Sequence, residues 1–146
     1  MRRIELNTPL GASAERAWDV LLDLDGWPRW GGLVTSAQGV LEPGARWTMT
    51  LRPEVVGGRA RAMRPRFVSV DPPRQVVFET LLLGAWFVRL VHVFDVVPDG
   101  DRAVLRQSFR ATGLGVPLLW PVLRDGMTQF DELGEDLAAW LARHDG

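Results

Sequence analysis

Histidine, glutamine and threonine stand out where the pattern of this chain turns apolar. From Trp86 to Val97, alternate residues Trp86, Val88, Leu90, His92, Phe94 and Val96 share one strand face, with Arg89 and Asp95 on the other. His92 therefore sits in an apolar row. An imidazole there can act as a general acid or base, can hold a ligand by a hydrogen bond, or can be satisfied by a group of the protein itself. Gln107 shares a face with Leu105 and Phe109, Thr80 follows Val76 and Phe78 in the same way, and Ser108 is a further candidate. A buried polar group without a partner costs about 1–3 kcal/mol, so each of these needs ligand, water or protein beside it.

Other chemistries are excluded by composition. The chain has no cysteine, which removes disulfides, thiolate nucleophiles and Cys-ligated metals. Its basic side chains are all arginine, so no lysine can form a Schiff base. His144 is the only other histidine, too few for a multi-histidine metal site, and no metal is expected. Asp95, the acidic neighbour of His92, points to the opposite face. There is no G-x-S-x-G elbow and no phosphate-binding glycine loop. The carboxylates of "DELGED" belong to a solvated helix face.

The elements that must position these residues follow from periodicity. Arg2 to Pro9 alternates as a first strand. Ser13 is a helix N-cap with Glu15 in the first turn, and Ala17, Val20, Leu21 and Leu24 form an apolar stripe bordered by Trp18. "DLDGWPRWGG" ends that helix and carries Trp27 and Trp30 three apart, in a second short helix or turn that either plugs the core or walls a pocket. Six further strands are predicted, at Leu33–Leu41, Arg46–Arg52, Arg59–Val70, Gln75–Leu82, Trp86–Val97 and Arg102–Ala111, separated by "EPGA", "VVGG", "DPPR", "LGA" and "PDGD". Breaks so short join antiparallel neighbours, because parallel strands need long crossovers.

A helix from Leu118 to Arg143 closes the chain, with Leu119, Val122, Leu123, Met127, Phe130, Leu133, Leu137, Trp140 and Leu141 along one stripe. Gly126 and Gly134 fall on that stripe, where each costs about 1 kcal/mol relative to alanine. Either a strand backbone approaches closely there or a ligand uses the space. An α+β helix-grip fold results: a seven-stranded antiparallel sheet wrapped around the long helix, with two short helices after the first strand, in one domain spanning residues 1–146. If such a fold left a gap of about 300 Å³, the low end for ligand pockets, a dry interior would cost roughly 7 kcal/mol. Water or a ligand would have to fill it.

The stretches "SAERAWDVLLDLDGWPRW", "PGARWTMTLRP", "MRPRFVSVDPPRQVVFE", "HVFDVVPDGDRAVLRQSF" and "GLGVPLLWPVLRDGMTQFDELGEDLAAWL" resemble the polyketide cyclase/dehydrase-type branch of the START-like superfamily, also called SRPBCC or Bet v 1-like. The resemblance implies a cavity between helix and sheet that takes a small hydrophobic molecule, lipid-like or aromatic and polyketide-like. His92, Gln107, Thr80, Phe78, Trp86, Leu90, Phe94, Phe109, Gly126, Met127, Phe130 and Trp30 are the candidate ligand-binding residues. A cyclase or dehydratase with His92 as proton-transfer residue is the alternative, and a protein-interaction domain the third. No cofactor is expected. With a net charge of -1, neither nucleic acid nor stable membrane insertion is expected, although Arg59, Arg61, Arg64 and Arg66 form one basic cluster. The N-terminus has no apolar signal region, so a cytoplasmic protein is expected, with its oligomeric state open.

Overall fold

The computed structural model describes residues 1–52 and 61–144. Its elements run β1 (Arg2–Leu10), α1 (Ala14–Leu22), a 3-10 turn (Leu24–Gly26), α2 (Trp27–Trp30), β2 (Val34–Gln38), β3 (Thr48–Leu51), β4 (Arg61–Met63), β5 (Arg66–Asp71), β6 (Gln75–Leu82), β7 (Val88–Asp99), β8 (Arg102–Thr112), α3 (Val116–Thr128) and α4 (Phe130–His144). This is the α+β helix-grip architecture, a mostly antiparallel sheet with helices packed across its inner face.

Local chemistry explains the first helices. Ser13 caps α1, its side chain accepting from the Arg16 N–H at 3.2 Å. Ala17, Trp18 and Leu21 are its buried residues. Trp27 is buried as well, and its indole N–H donates to the Leu21 carbonyl at 3.0 Å, tying α2 back onto α1. Its ring meets Trp47 and Phe94 edge to face at 5.4 and 5.7 Å. The plug reading of Trp27 thus fits its place at one end of the core.

The strands form two sheets where one was expected. Five lie in the order β1-β8-β7-β6-β5 and three in the order β2-β3-β4. The expected strand Arg59–Val70 is interrupted at Pro65, which has no N–H to give a ladder. Its first part, β4, pairs with β3, whereas its second part, β5, pairs with β6. Arg59 itself, like the "VVGG" turn, lies outside the described residues. Bonds from the Trp47 N–H to the Pro65 carbonyl at 3.0 Å and from the Phe67 N–H to the Ala45 carbonyl at 2.9 Å hold the two sheets edge to edge. The strand expected from Trp86 begins at Val88 instead. Leu83 and Gly84 take positive φ values of 56° and 100°, and the chain from Gly84 to Phe87 is a turn.

The closing rod is likewise two helices, parted at Gln129. Gln129 keeps helical angles, φ -69° and ψ -18°, so the axis carries on while the hydrogen-bond ladder weakens. Just before it, the Thr128 hydroxyl donates to the Arg124 and Asp125 carbonyls at 3.0 and 3.1 Å, a competition that bends helices. In α4, Leu133, Leu137 and Leu141 are fully buried. Arg52 pairs with Glu132 at 3.0 Å, and Asp136 accepts from the Gly32 N–H at 2.9 Å, so α4 is fastened at its flank. Val122, expected on the buried stripe, is 71% exposed, because α3 covers the sheet less closely than α4 does.

Candidate functional site

The sheet register brings three rings into one row. Phe78 on β6 stands opposite His92 on β7, which stands opposite Phe109 on β8. All three face the helices and are buried. The imidazole stacks on Phe109 at 3.9 Å, tilts against Phe78 at 4.7 Å and Phe94 at 4.4 Å, and meets Phe130 of α4 edge on at 5.0 Å. Ring contacts continue through Phe78 to Trp47 at 5.4 Å and from Trp47 to Trp27 at 5.4 Å. The plug and the histidine row therefore form one aromatic body.

Between this row and α3 lies a cavity of about 140 Å³. Its walls are Met49 and Leu51 of β3, Met63 of β4, Phe78 and Thr80 of β6, Leu90 and His92 of β7, Phe109 of β8, Val122, Leu123, Gly126 and Met127 of α3, and Phe130 of α4. It is smaller than common ligand pockets of about 300 Å³ and above. An apolar cavity of about 150 Å³ nevertheless admits benzene. Left dry, this one would cost roughly 3 kcal/mol. Among the described residues, only Thr80 and His92 supply polar side chains to its lining.

The two glycines of the rod divide the two readings between them. A Cβ on Gly126 would meet nothing within 4 Å, so this glycine leaves room in the cavity. A Cβ on Gly134 would run into the Thr8 hydroxyl and come within 3.2 Å of the Thr8 Cβ, so this one admits a close strand.

His92 is held from below. Its Nε2 lies 3.1 Å from the Gln107 Oε1, and the Gln107 amide nitrogen donates to the Phe130 carbonyl at 2.9 Å. Burial pushes the imidazole pKa down to about 3, with the Gln107 bond opposing that fall. The ring is therefore neutral near pH 7. A base so weak takes a proton poorly at neutral pH, which argues against proton transfer by His92.

Of the twelve residues named from sequence, the cavity gathers Phe78, Thr80, Leu90, His92, Phe109, Gly126, Met127 and Phe130. Gln107 is fully buried behind His92, and Phe94 turns toward Trp27, so neither reaches the lining. Trp30 is elsewhere, beside a polar hollow with Arg16, Asp19, Asp23, Arg29 and Trp140. Trp86 is 63% exposed, because the Gly84 turn carries it off the strand face before β7 begins. Ser108 faces the outer side of the sheet, near Arg3 and Arg110. Met49, Leu51 and Met63 were not foreseen, although the alternation of Trp47, Met49 and Leu51 carried the signal.

On the outer face, Glu79 joins β5 to β7, accepting from Arg66 at 2.6 Å and from Arg89 at 2.8 Å. The Arg66 hydrogen bond lowers its pKa most, burial opposes, and Arg89 lowers it further. The basic cluster read from sequence is thus drawn into the sheet at Arg66. Hydrophobic side chains are exposed at Leu81 and Leu82 at the end of β6, at Leu83 and Trp86 in the β6–β7 turn, at Leu114 before α3, and at Leu118 and Val122 within it. Among the described residues, no cluster of three His, Cys, Asp or Glu could hold a metal ion. No helix among them is long and apolar enough to cross a membrane.

A family model described as polyketide cyclase/dehydrase and lipid transport matches residues 1–140. The chain belongs to this family. No curated protein sequence matches it. Solved structures share the fold of this polyketide cyclase/dehydrase-family chain. Norcoclaurine synthase from Thalictrum flavum, in complex with dopamine and hydroxybenzaldehyde, aligns with a TM-score of 0.74 at 18% identity, covering 99% of this chain and 88% of that one. A START superfamily protein from Mycobacterium smegmatis aligns with a TM-score of 0.71 at 16% identity, covering 97% of each. The di-domain ARO/CYC protein BexL aligns with a TM-score of 0.75 at 17% identity, covering 99% of this chain and 48% of that one. Identities this low establish the shared fold.

Proposed function

We propose that residues 1–146 form a single domain that binds a small hydrophobic molecule, its ring-sized part seated in the cavity between α3 and the sheet. The space beneath Gly126 carries this reading, since a helix glycine without a close neighbour costs stability that a guest would recover. The apolar lining and the two polar side chains match the usual make-up of small-molecule sites. The family description, which names polyketides and lipids, and the aromatic compounds in the norcoclaurine synthase complex favour guests of this kind. A cyclase or dehydratase using His92 is disfavoured by the low basicity of that ring. The exposed leucines and Trp86 around the β6–β7 turn and α3 are the observation in favour of a partner-binding role.

Native mass spectrometry and thermal unfolding with panels of aromatic, polyketide-like and lipid compounds test the proposal. A ligand at 100 times its Kd adds about 2.7 kcal/mol of stability. Gly126→Leu fills the space and should abolish the gain while the protein stays folded. Panels that leave the unaltered chain unshifted, or equal gains in the filled variant, would refute the reading.

A further inference from the structure

The cavity also dictates which hydrogen-bonding group a guest must bring, through a relay of three groups. The Phe130 carbonyl can only accept, so the part of the Gln107 side chain that faces it at 2.9 Å is the NH2. That fixes the rest of the amide. Oε1, also an acceptor only, faces His92 Nε2 at 3.1 Å. His92 must then carry its proton on Nε2 and its lone pair on Nδ1. A flipped amide would set oxygen against oxygen at Phe130, so the relay has one stable sense.

Nδ1 has no hydrogen-bond partner among the described residues. Among the described residues, the sealed nitrogens without a partner are Trp30 Nε1 and Trp47 Nε1. Nδ1 is not one of them, which leaves its lone pair open to the cavity that the ring lines. Thr80 stands one diagonal step away on the same face, since Thr80 pairs with Leu90 and Phe78 with His92. Among the described residues, no charged side chain lines the space.

We propose that the cavity selects a neutral, ring-sized guest that presents a hydrogen-bond donor, such as a phenolic hydroxyl, to His92 Nδ1, with Gln107 as the positioning residue that fixes the tautomer. The proposal rests on reading the cavity as a ligand site. An ether or ketone would set its lone pair against that of Nδ1. A carboxylate would bring a charge that nothing in the described lining balances.

The test titrates the unaltered 146-residue chain with phenol, anisole, toluene and benzoate by calorimetry, and reads the His92 tautomer from the nitrogen NMR shifts of its ring. Phenol should bind about tenfold more tightly than toluene or anisole, as one good hydrogen bond allows, and benzoate should not bind. The free protein should show the Nε2–H form, Gln107→Leu should let the Nδ1–H form appear, and His92→Phe should bring phenol and toluene level. Toluene or anisole binding as tightly as phenol, or an Nδ1–H tautomer in the unaltered chain, would overturn the donor rule and leave the ligand reading standing. Failure of every ring probe would overturn both. The probe series and the tautomer are read on the unaltered chain, so neither depends on a variant folding.

Discussion

Alanine at Gly126 and alanine at Gly134 are expected to move stability in opposite directions, although both lie on the same helical rod. At Gly126 the new methyl meets nothing within 4 Å. The helix gains about 1 kcal/mol from the lost backbone freedom of glycine, and the methyl adds a fraction of the ~0.8 kcal/mol that a fully buried carbon yields. A net gain of about 1–1.5 kcal/mol corresponds to roughly 3–6 °C in Tm. At Gly134 the same helical gain is opposed by overpacking, which costs typically about 1–3 kcal/mol. The Thr8 hydroxyl can rotate away from the new methyl, but the Thr8 Cβ at 3.2 Å is fixed to β1 and can yield only by moving the strand. A net loss near 1 kcal/mol is expected, leaving the two variants about 2 kcal/mol apart. Urea unfolding of both proteins, with equal m-values to confirm a two-state comparison, measures that difference. Two variants that shift together, or a Gly126→Ala protein less stable than its parent, would show that the space under α3 is not what that glycine provides.

Two further outcomes follow from the His92 relay. The folded pKa of about 3 lies below the ordinary 6.5, so the unfolded chain binds the extra proton between those values. Stability is therefore complete above about pH 6.5 and falls by about 1.4 kcal/mol per unit as the pH drops toward 3, roughly 2 kcal/mol by pH 5. Urea midpoints at pH 7.5 and pH 5 for the parent and His92→Phe should show this slope lost in the variant; Glu79, whose lowered pKa also weakens the fold in acid, is common to both. Gln107→Leu leaves the buried Nε2 of His92 without a partner, while the Phe130 carbonyl, at the start of α4, keeps its helical acceptor role. At about 1–3 kcal/mol for an unpaired buried polar group, a loss in that range is expected in the same unfolding assay.

What the sequence shows and what it hides divide along sequence separation. The inward face of β7 was legible because Val88, Leu90, His92, Phe94 and Val96 alternate strictly with residues such as Arg89 and Asp95, and a strand has no third direction. That same rule carried the pattern too far, back to Trp86, because alternation does not register the turn at Leu83 and Gly84. The break at Pro65 is written in the chain as a missing N–H, masked by a run in which arginines alternate with apolar residues as they would along one strand. Gly126 and Gly134 look alike in sequence; what separates them is Thr8, over a hundred residues away and brought in by the β1–β8 pairing. The His92–Gln107 bond depends on register as well, since Gln107 pairs with Phe94 and reaches His92 along the diagonal. Composition gives no access to such an offset.

The cavity has two unlike walls. One is the interlocked rings of Phe78, His92 and Phe109, braced through Trp47 and Trp27, and no ring there can swing without displacing its neighbours. Facing it are Met49, Met63 and Met127, three of the four methionines in the chain. Thioether side chains bend to fit irregular shapes at little cost. Fit is therefore directional: a guest is gauged strictly on its ring-facing side and tolerated on its sulfur-facing side. Analogues bearing bulk toward the methionines should be accepted where the same bulk toward the rings is refused.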